Sequence, residues 1–194
     1  FLLLSALLAQ AATDKTLWQP YYVFPRAAAS QQHLNLSADW QLTWLDRQVQ
    51  STDDLSAARR WIQVAVPTSV QMALHKAGEL PHPYFNLNSS KYNWVDEKVW
   101  YYRKSFEAPR TASRYAFLYF HGIDYFARVW LNGKLLGSHE GMFAGPAMEV
   151  SQDLAWGASN EIVVEVRAGN WGQKSTYKSR EPGRIIKPWV IAGG

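Results

Sequence analysis

The chain has 194 residues and a formal net charge of +4, from 20 Lys and Arg against 16 Asp and Glu. That length supports one sizeable core and one domain. The basic residues are scattered and form no run, which argues against a nucleic-acid binder. The absence of cysteine excludes disulfides, thiolate metal sites and cysteine nucleophiles.

In chain order, Phe1 to Leu8 is apolar and Ala9-Gln10-Ala11 has a small-x-small pattern. Together they predict part of a secretory leader over residues 1–12, and hence export to the periplasm or the cell exterior. The segment is too short to span a bilayer. Residues 13–35 carry no period and read as a linker and entry segment. Leu34 to Trp44 alternates and predicts the first strand, and the domain proper is expected over residues 36–194. Ser51 to Arg60 is polar, with Asp53 and Asp54 ahead of Arg59 and Arg60, an order that suits the dipole of a short surface helix. Trp61 to Val66 predicts a second strand. Thr68 and Gln71 form a capping-box pattern before a helix of about two turns, with Gly78 placed as its C′ residue.

From Trp100 the strand signals become dense. Trp100 to Phe106 alternates, and Tyr115 to Phe120 follows. In Phe126 to Leu131, Ala127, Val129 and Leu131 share one face, while Phe126, Arg128 and Trp130 share the other, the period of a strand with one side buried. Asn132-Gly133 supplies a type I′ hairpin turn. Ile162, Val164 and Val166 define a further strand. Short alternating strands joined by turn signals predict an all-β fold, a β-sandwich with one or two short helices. Ile185 to Ile191 is strand-like and the chain ends three residues later at Gly194, so the sandwich is expected to lack its last C-terminal pairing here.

One pattern goes beyond fold class. Gly122-x-Asp124-x-x-Ala127-x-Val129-x-Leu131-Asn132-Gly133-x-x-Leu136-Gly137, then Gly141, then Gly157-x-x-Asn160-x-Ile162-x-Val164-x-Val166, resembles the N-terminal jelly-roll domain of glycoside hydrolase family 2. Leu36 to Trp40, and Pro67, Thr68, Val70 and Leu74, extend the resemblance. The loop Pro83-Tyr84-Phe85-Asn86-Leu87-Asn88, with Trp94 and Trp100 at successive intervals of six, is similar to the β-mannosidase branch. The Trp-Asp-Trp-Gly-Pro motif usual in that branch is absent, and Asn170-Trp171-Gly172 does not replace it. The resemblance implies a retaining exo-glycosidase acting on a β-mannoside, β-galactoside or β-glucuronide. Its two catalytic glutamates would lie in a barrel domain absent from this chain, which then carries no catalytic residue and serves as an accessory sugar-binding domain. The dipeptide Asn160-Glu161 imitates the family's acid/base pair but lies in the turn entering a sandwich strand, so it is not assigned that role.

The candidate substrate-binding residues are Tyr84, Asn88, Trp94 and Asp124. Asn carries both a donor and an acceptor, which suits sugar hydroxyls; the competing reading is that Asn88 stabilises its own loop. Tyr84 and Trp94 offer rings on which pyranose C–H faces stack. Asp124 either ties down turn N–H groups or reaches the sugar or the barrel. The five histidines have no ligand spacing, and no cofactor motif occurs, so neither a metal nor a cofactor is assigned. The expected partners are a β-glycoside or oligosaccharide and the barrel of the same chain. A stand-alone carbohydrate-binding module is the alternative.

Overall fold

The computed structural model describes residues 33–110 and 115–168. The expected leader over 1–12, most of the entry segment and the strand over Ile185 to Ile191 lie outside the described residues. Within them the chain forms β1 (Trp40–Leu45), β2 (Ile62–Val64), helix α1 (Val70–Lys76), β3 (Val99–Glu107), β4 (Phe117–Tyr119), β5 (Phe126–Leu131), β6 (Lys134–Glu140), β7 (Ala147–Glu149) and β8 (Ser159–Arg167). A six-stranded sheet of order β2-β1-β3-β8-β5-β6 faces a two-stranded sheet β4-β7. Every pairing is antiparallel. The molecule is the all-β sandwich that the alternation predicts.

Several local expectations hold for their stated reasons. Asn132 and Gly133 have φ of 51° and 80° and close the β5–β6 hairpin, as a type I′ turn requires. Gly78 has φ 76° and ends α1 in a Schellman motif, with Gly78 N donating to His75 O and Glu79 N to Leu74 O, each at 2.9 Å. The helix start differs by one residue. Ser69, not Thr68, is the N-cap, accepting from Met72 N, while the Thr68 hydroxyl donates to Ser69 O. The first strand starts at Trp40 rather than at Leu34, because Asp39 takes φ 57° and interrupts the extended run.

The larger difference concerns the sheet's second face. Strand β5 was expected to bury one side only, yet Trp130 is as buried as Val129 and Leu131. The main core takes Trp40, Leu42, Trp100, Tyr102, Ala127, Val129, Ile162 and Val164. On the opposite face, Val99, Tyr101, Trp130 and Val163 pack with Val49 and Leu55. The segment read as a polar surface helix is a 3-10 turn, Thr52–Ala57, and it covers this face. Ser51 and Asp54 close it with a capping box. The Ser51 and Gln50 backbone N–H groups hold the Asp54 carboxyl below its ordinary pKa. Leu55 alone gives the segment no marked apolar period, so its burial was not visible in the pattern.

A buried ion pair fastens this cover. Glu165 is fully buried, and its carboxylate accepts from Arg128 Nε at 3.1 Å, Gln48 Nε2 at 2.7 Å and the Tyr101 hydroxyl at 2.9 Å. A second guanidinium nitrogen of Arg128 also bonds Glu165 and donates to Val49 O at 2.7 Å. Val49 N in turn donates to the Tyr101 oxygen at 3.0 Å. Burial, then the Glu165 charge, pushes the Tyr101 phenol well above its ordinary pKa. Removing one partner of such a pair costs more than removing both, because a lone buried charge has lost its water. Arg128→Met is therefore expected to destabilise the chain by about 3–5 kcal/mol. Pairing it with Glu165→Leu should recover most of that loss, read as urea midpoints. A single variant as stable as the double would contradict this account.

Candidate functional site

Strand register defines one end of the large sheet. Trp44 pairs with Trp100, Trp100 with Val166, Val166 with Ala127, and Ala127 with His139. At about 4.8 Å per strand, Trp100 and Ala127 lie roughly 10 Å apart along this row. The connections that meet this end include the long segment between α1 and β3, the corner before β5 and the loop after β6. Of the residues singled out from sequence, Tyr84, Asn88 and Trp94 lie on the first connection and Asp124 on the second.

The α1–β3 segment is held from below. Tyr92 is buried, and its hydroxyl donates to Pro81 O at 2.6 Å. Val95 is buried, and its carbonyl accepts from the Trp100 indole at 2.9 Å. Trp94 packs with Trp44 and Trp100 at ring separations of 5.6 and 5.7 Å, so most of its ring belongs to a tryptophan cluster on the core. Above this base the segment is open to solvent. Tyr84, Phe85 and Leu87 are 64, 65 and 80% exposed. Asn88 opens a 3-10 turn, Asn88–Tyr92, and its Nδ2 donates to His82 O at 3.1 Å. One amide N–H of Asn88 thus serves its own loop, as the competing reading of this residue has it.

The second connection is tightly tied. Asp124 is half-buried and joined to Tyr125 by a cis peptide bond. Tyr125 N donates to Arg167 O at 3.4 Å, and Gly141 N donates to Tyr125 O at 3.0 Å. His139 stands beside this corner. Burial lowers its pKa, while hydrogen bonds to the backbone of Gly141 and Ile123 and the nearby Glu140 act in the opposite sense. Arg167 lies over the Phe126 ring at 5.2 Å, with its Nε 3.4 Å from Glu165 Oε1 but outside hydrogen-bond geometry. Beyond Gly141, Phe143 is 95% exposed. Sequence reasoning passed over His139 and Arg167, since only strand register brings them to this end. Among the described residues, no group of three or more His, Asp or Glu is arranged to hold a metal ion. No helix among them is long and apolar enough to cross a membrane.

Residues 40–188 match the family model described as "Glycosyl hydrolase 2 galactose-binding domain-like". The chain belongs to this glycosyl hydrolase 2 family. The β-mannosidase B of Aspergillus clavatus is 33% identical over 139 residues, which are 71% of this chain and 16% of that protein. The β-mannosidase B of Emericella nidulans is 35% identical over 96 residues, 48% of this chain and 11% of that protein. Among solved structures, the β-D-mannosidase of Dictyoglomus thermophilum superposes with a TM-score of 0.56 at 26% identity, over 70% of this chain and 15% of that one. A β-glucuronidase of Ruminococcus gnavus shares the fold with a TM-score of 0.56 at 18% identity, over 75% of this chain and 22% of that one. The chain therefore spans less than a quarter of each of these relatives.

The glycosyl hydrolase 2 signature now has a physical reading. Asn132 Oδ1 accepts from Glu161 N at 2.9 Å, and its Nδ2 donates to Asp153 O at 2.9 Å and to Asn160 Oδ1 at 2.8 Å. Asn160 is buried, accepts from Ala155 N at 2.7 Å, and donates to Ala155 O and Ala158 O at 2.9 Å each. The motif's two asparagines knot the β5–β6 hairpin to the entry of β8, at the end opposite the candidate site. Glu161 has its backbone in this knot, which supports leaving it without an acid/base role. Asn160→Asp would keep the acceptor and lose both donors, each unmet carbonyl costing about 1–3 kcal/mol. A loss of at least about 2 kcal/mol in urea unfolding is expected, and an unchanged midpoint would refute the knot.

His139 gives the site end a pH signature. Its folded pKa lies below its unfolded value, so the unfolded state takes up the proton more readily. Stability is then lost as pH falls below about 6.5. The melting temperature should fall between pH 7.5 and 5.5, and His139→Asn should reduce that fall. Parallel pH curves for the two proteins would refute it.

Proposed function

We propose that this chain is the N-terminal accessory domain of an exported retaining exo-glycosidase that hydrolyses β-mannosides. In this reading the sheet end bearing Tyr84, Asn88, Trp94 and Asp124 walls the substrate pocket of a barrel domain in the same polypeptide. The barrel supplies the two catalytic carboxylates, one as nucleophile and one as acid/base. The observation that carries the reading is the 33% identity to a β-mannosidase B over 71% of this chain. β-Glucuronidase neighbours share the fold at 18% identity, which gives no comparable support for a uronic acid. The role of Asn88 follows from its position on an exposed loop held over a rigid base, with an amide carbonyl directed to no loop partner. Tyr84 offers an exposed ring for stacking, and Trp94 stiffens the base of the wall.

The test is the complete enzyme, assayed with p-nitrophenyl β-mannoside, β-galactoside and β-glucuronide. The β-mannoside is expected to give the highest kcat/KM, by at least about tenfold, or about 1.4 kcal/mol in transition-state binding. Asn88→Ala should lower kcat/KM for it by about tenfold, the loss of one hydrogen bond to a sugar hydroxyl. Preference for another glycoside would overturn the substrate, and an unaltered Asn88→Ala enzyme would overturn the role of the loop. Glycan binding by the chain alone, unaffected by a barrel, would favour a free-standing binding module instead.

A further inference from the structure

The loop that carries Tyr84 and Asn88 is arranged around His82. Its carbonyl accepts twice, from Phe85 N at 3.2 Å and from Asn88 Nδ2 at 3.1 Å. Its ring Nδ1 accepts from Tyr84 N at 3.3 Å. Pro83 between them has no N–H, so Tyr84 carries the first free backbone donor after His82. The preceding carbonyl, of Pro81, is taken by the Tyr92 hydroxyl. Three of the loop's tethers thus converge on one residue.

The ring's bond fixes its chemical state. A backbone N–H only donates, so Nδ1 of His82 holds a lone pair, and the neutral ring carries its proton on Nε2. Protonation turns Nδ1 into a donor and sets it against the Tyr84 N–H. It also places a cation against His75, whose ring lies 4.8 Å away. His75 Nδ1 is bonded to Leu80 O at 3.2 Å, which fixes that nitrogen as the donor. The groups facing His82 are His75 from α1 and Tyr84 from its own loop, at 5.8 Å. Lys76 and Glu79 flank His75 in sequence, and Glu79 is engaged by Arg60. Among the described residues no carboxylate pairs with either imidazole to offset the added charge.

We propose that His82 is the positioning residue of this loop, its carbonyl holding Asn88 in either state of the ring and its Nδ1 holding the Tyr84 N–H only while that nitrogen is unprotonated. The glycosidase reading enters only in the consequence, that sugar contacts by this loop weaken as the ring gains a proton.

The experiment is an NMR titration of the 194-residue chain without ligand, following the His82 ring nitrogens and the Tyr84 amide. At high pH the ring should show the tautomer protonated on Nε2. On acidification the Tyr84 amide proton should shift upfield with the same midpoint as the ring, while the amide of Val163 in the second core stays put. His82→Asn places an acceptor near the Nδ1 position and should keep the Tyr84 shift at every pH. His82→Gln places it near Nε2 and should lose the shift at every pH. A Tyr84 amide that ignores the ring's titration, or Gln and Asn variants that behave alike, would overturn the inference. In the complete enzyme, KM for a β-mannoside should rise on acidification more in the wild type than in His82→Asn. If the resonances titrate together and KM does not follow, the positioning role stands and the sugar-facing reading fails.

Discussion

A six-stranded sheet faced by a two-stranded one leaves most of an apolar face uncovered. The rest of this structure follows from how that face is closed. Strands β4 and β7 and the residues after them contribute Leu118, Phe120, Met148 and Val150 to the core on that face. Helix α1 and the segment after it add Val70, Ala73, Leu74, Tyr92 and Val95 to the same core, and the segment meets β1 and β3 through Trp94 and Val95. Full burial of a large aliphatic or aromatic side chain contributes about 1.5–3 kcal/mol, so Val70, Leu74, Tyr92 and Val95 together outweigh a short helix's inability to stand alone. A loop that completes a core cannot move freely. The candidate site is therefore built on an irregular segment with the fixity of an element, which suits a wall that must hold ligand-facing groups steady.

The second face imposes a different solution. Its cover, residues 46–61, offers little apolar area beyond Val49, Leu55 and Trp61. It is held instead by polar bonds that converge on Glu165. Such a network stabilises only when every member is satisfied, and here both carboxylate oxygens are occupied from three side chains. Arg103 adds to the closure by stacking on Trp61 at 3.8 Å. The sheet is thus clamped by apolar burial on one side and by a buried charge pair on the other.

This division explains what could be read from the sequence. Period-2 runs marked β3, β5 and β8 because one face of each is mostly apolar, and Asn132-Gly133 marked the hairpin because few other residues take positive φ. The second core was invisible because Tyr101, Arg128, Trp130 and Glu165 mix charge with bulk and read as an outward face. Tyr84, Asn88 and Asp124 could be picked out because they stand in spaced motifs. His82 could not, since a histidine before a proline has no distinguishing pattern, and its role appears only when its ring nitrogen is seen to cap Tyr84. His139 and Arg167 required the register across β5, β6 and β8, which no local pattern encodes.

The placement of the motif's two asparagines bears on how the two ends of the sandwich divide their work. Asn132 and Asn160 close one end with a knot in which the buried amide of Asn160 is satisfied on both sides by backbone. Both the oxygen and the nitrogen of the Asn160 amide are taken within that knot, so this part of the family signature serves the fold. At the other end, Asn88 uses one N–H for its loop, with Tyr84 and Phe85 exposed nearby. The same residue type is thus consumed by the fold at one end and left partly unspent at the other. Side chains with unspent hydrogen-bonding capacity, held on a rigid base, are what a substrate wall requires. Within one signature, then, Asn132 and Asn160 serve the fold at one end of the sheet, while Asp124 lies on the corner before β5, at the end that carries the candidate site.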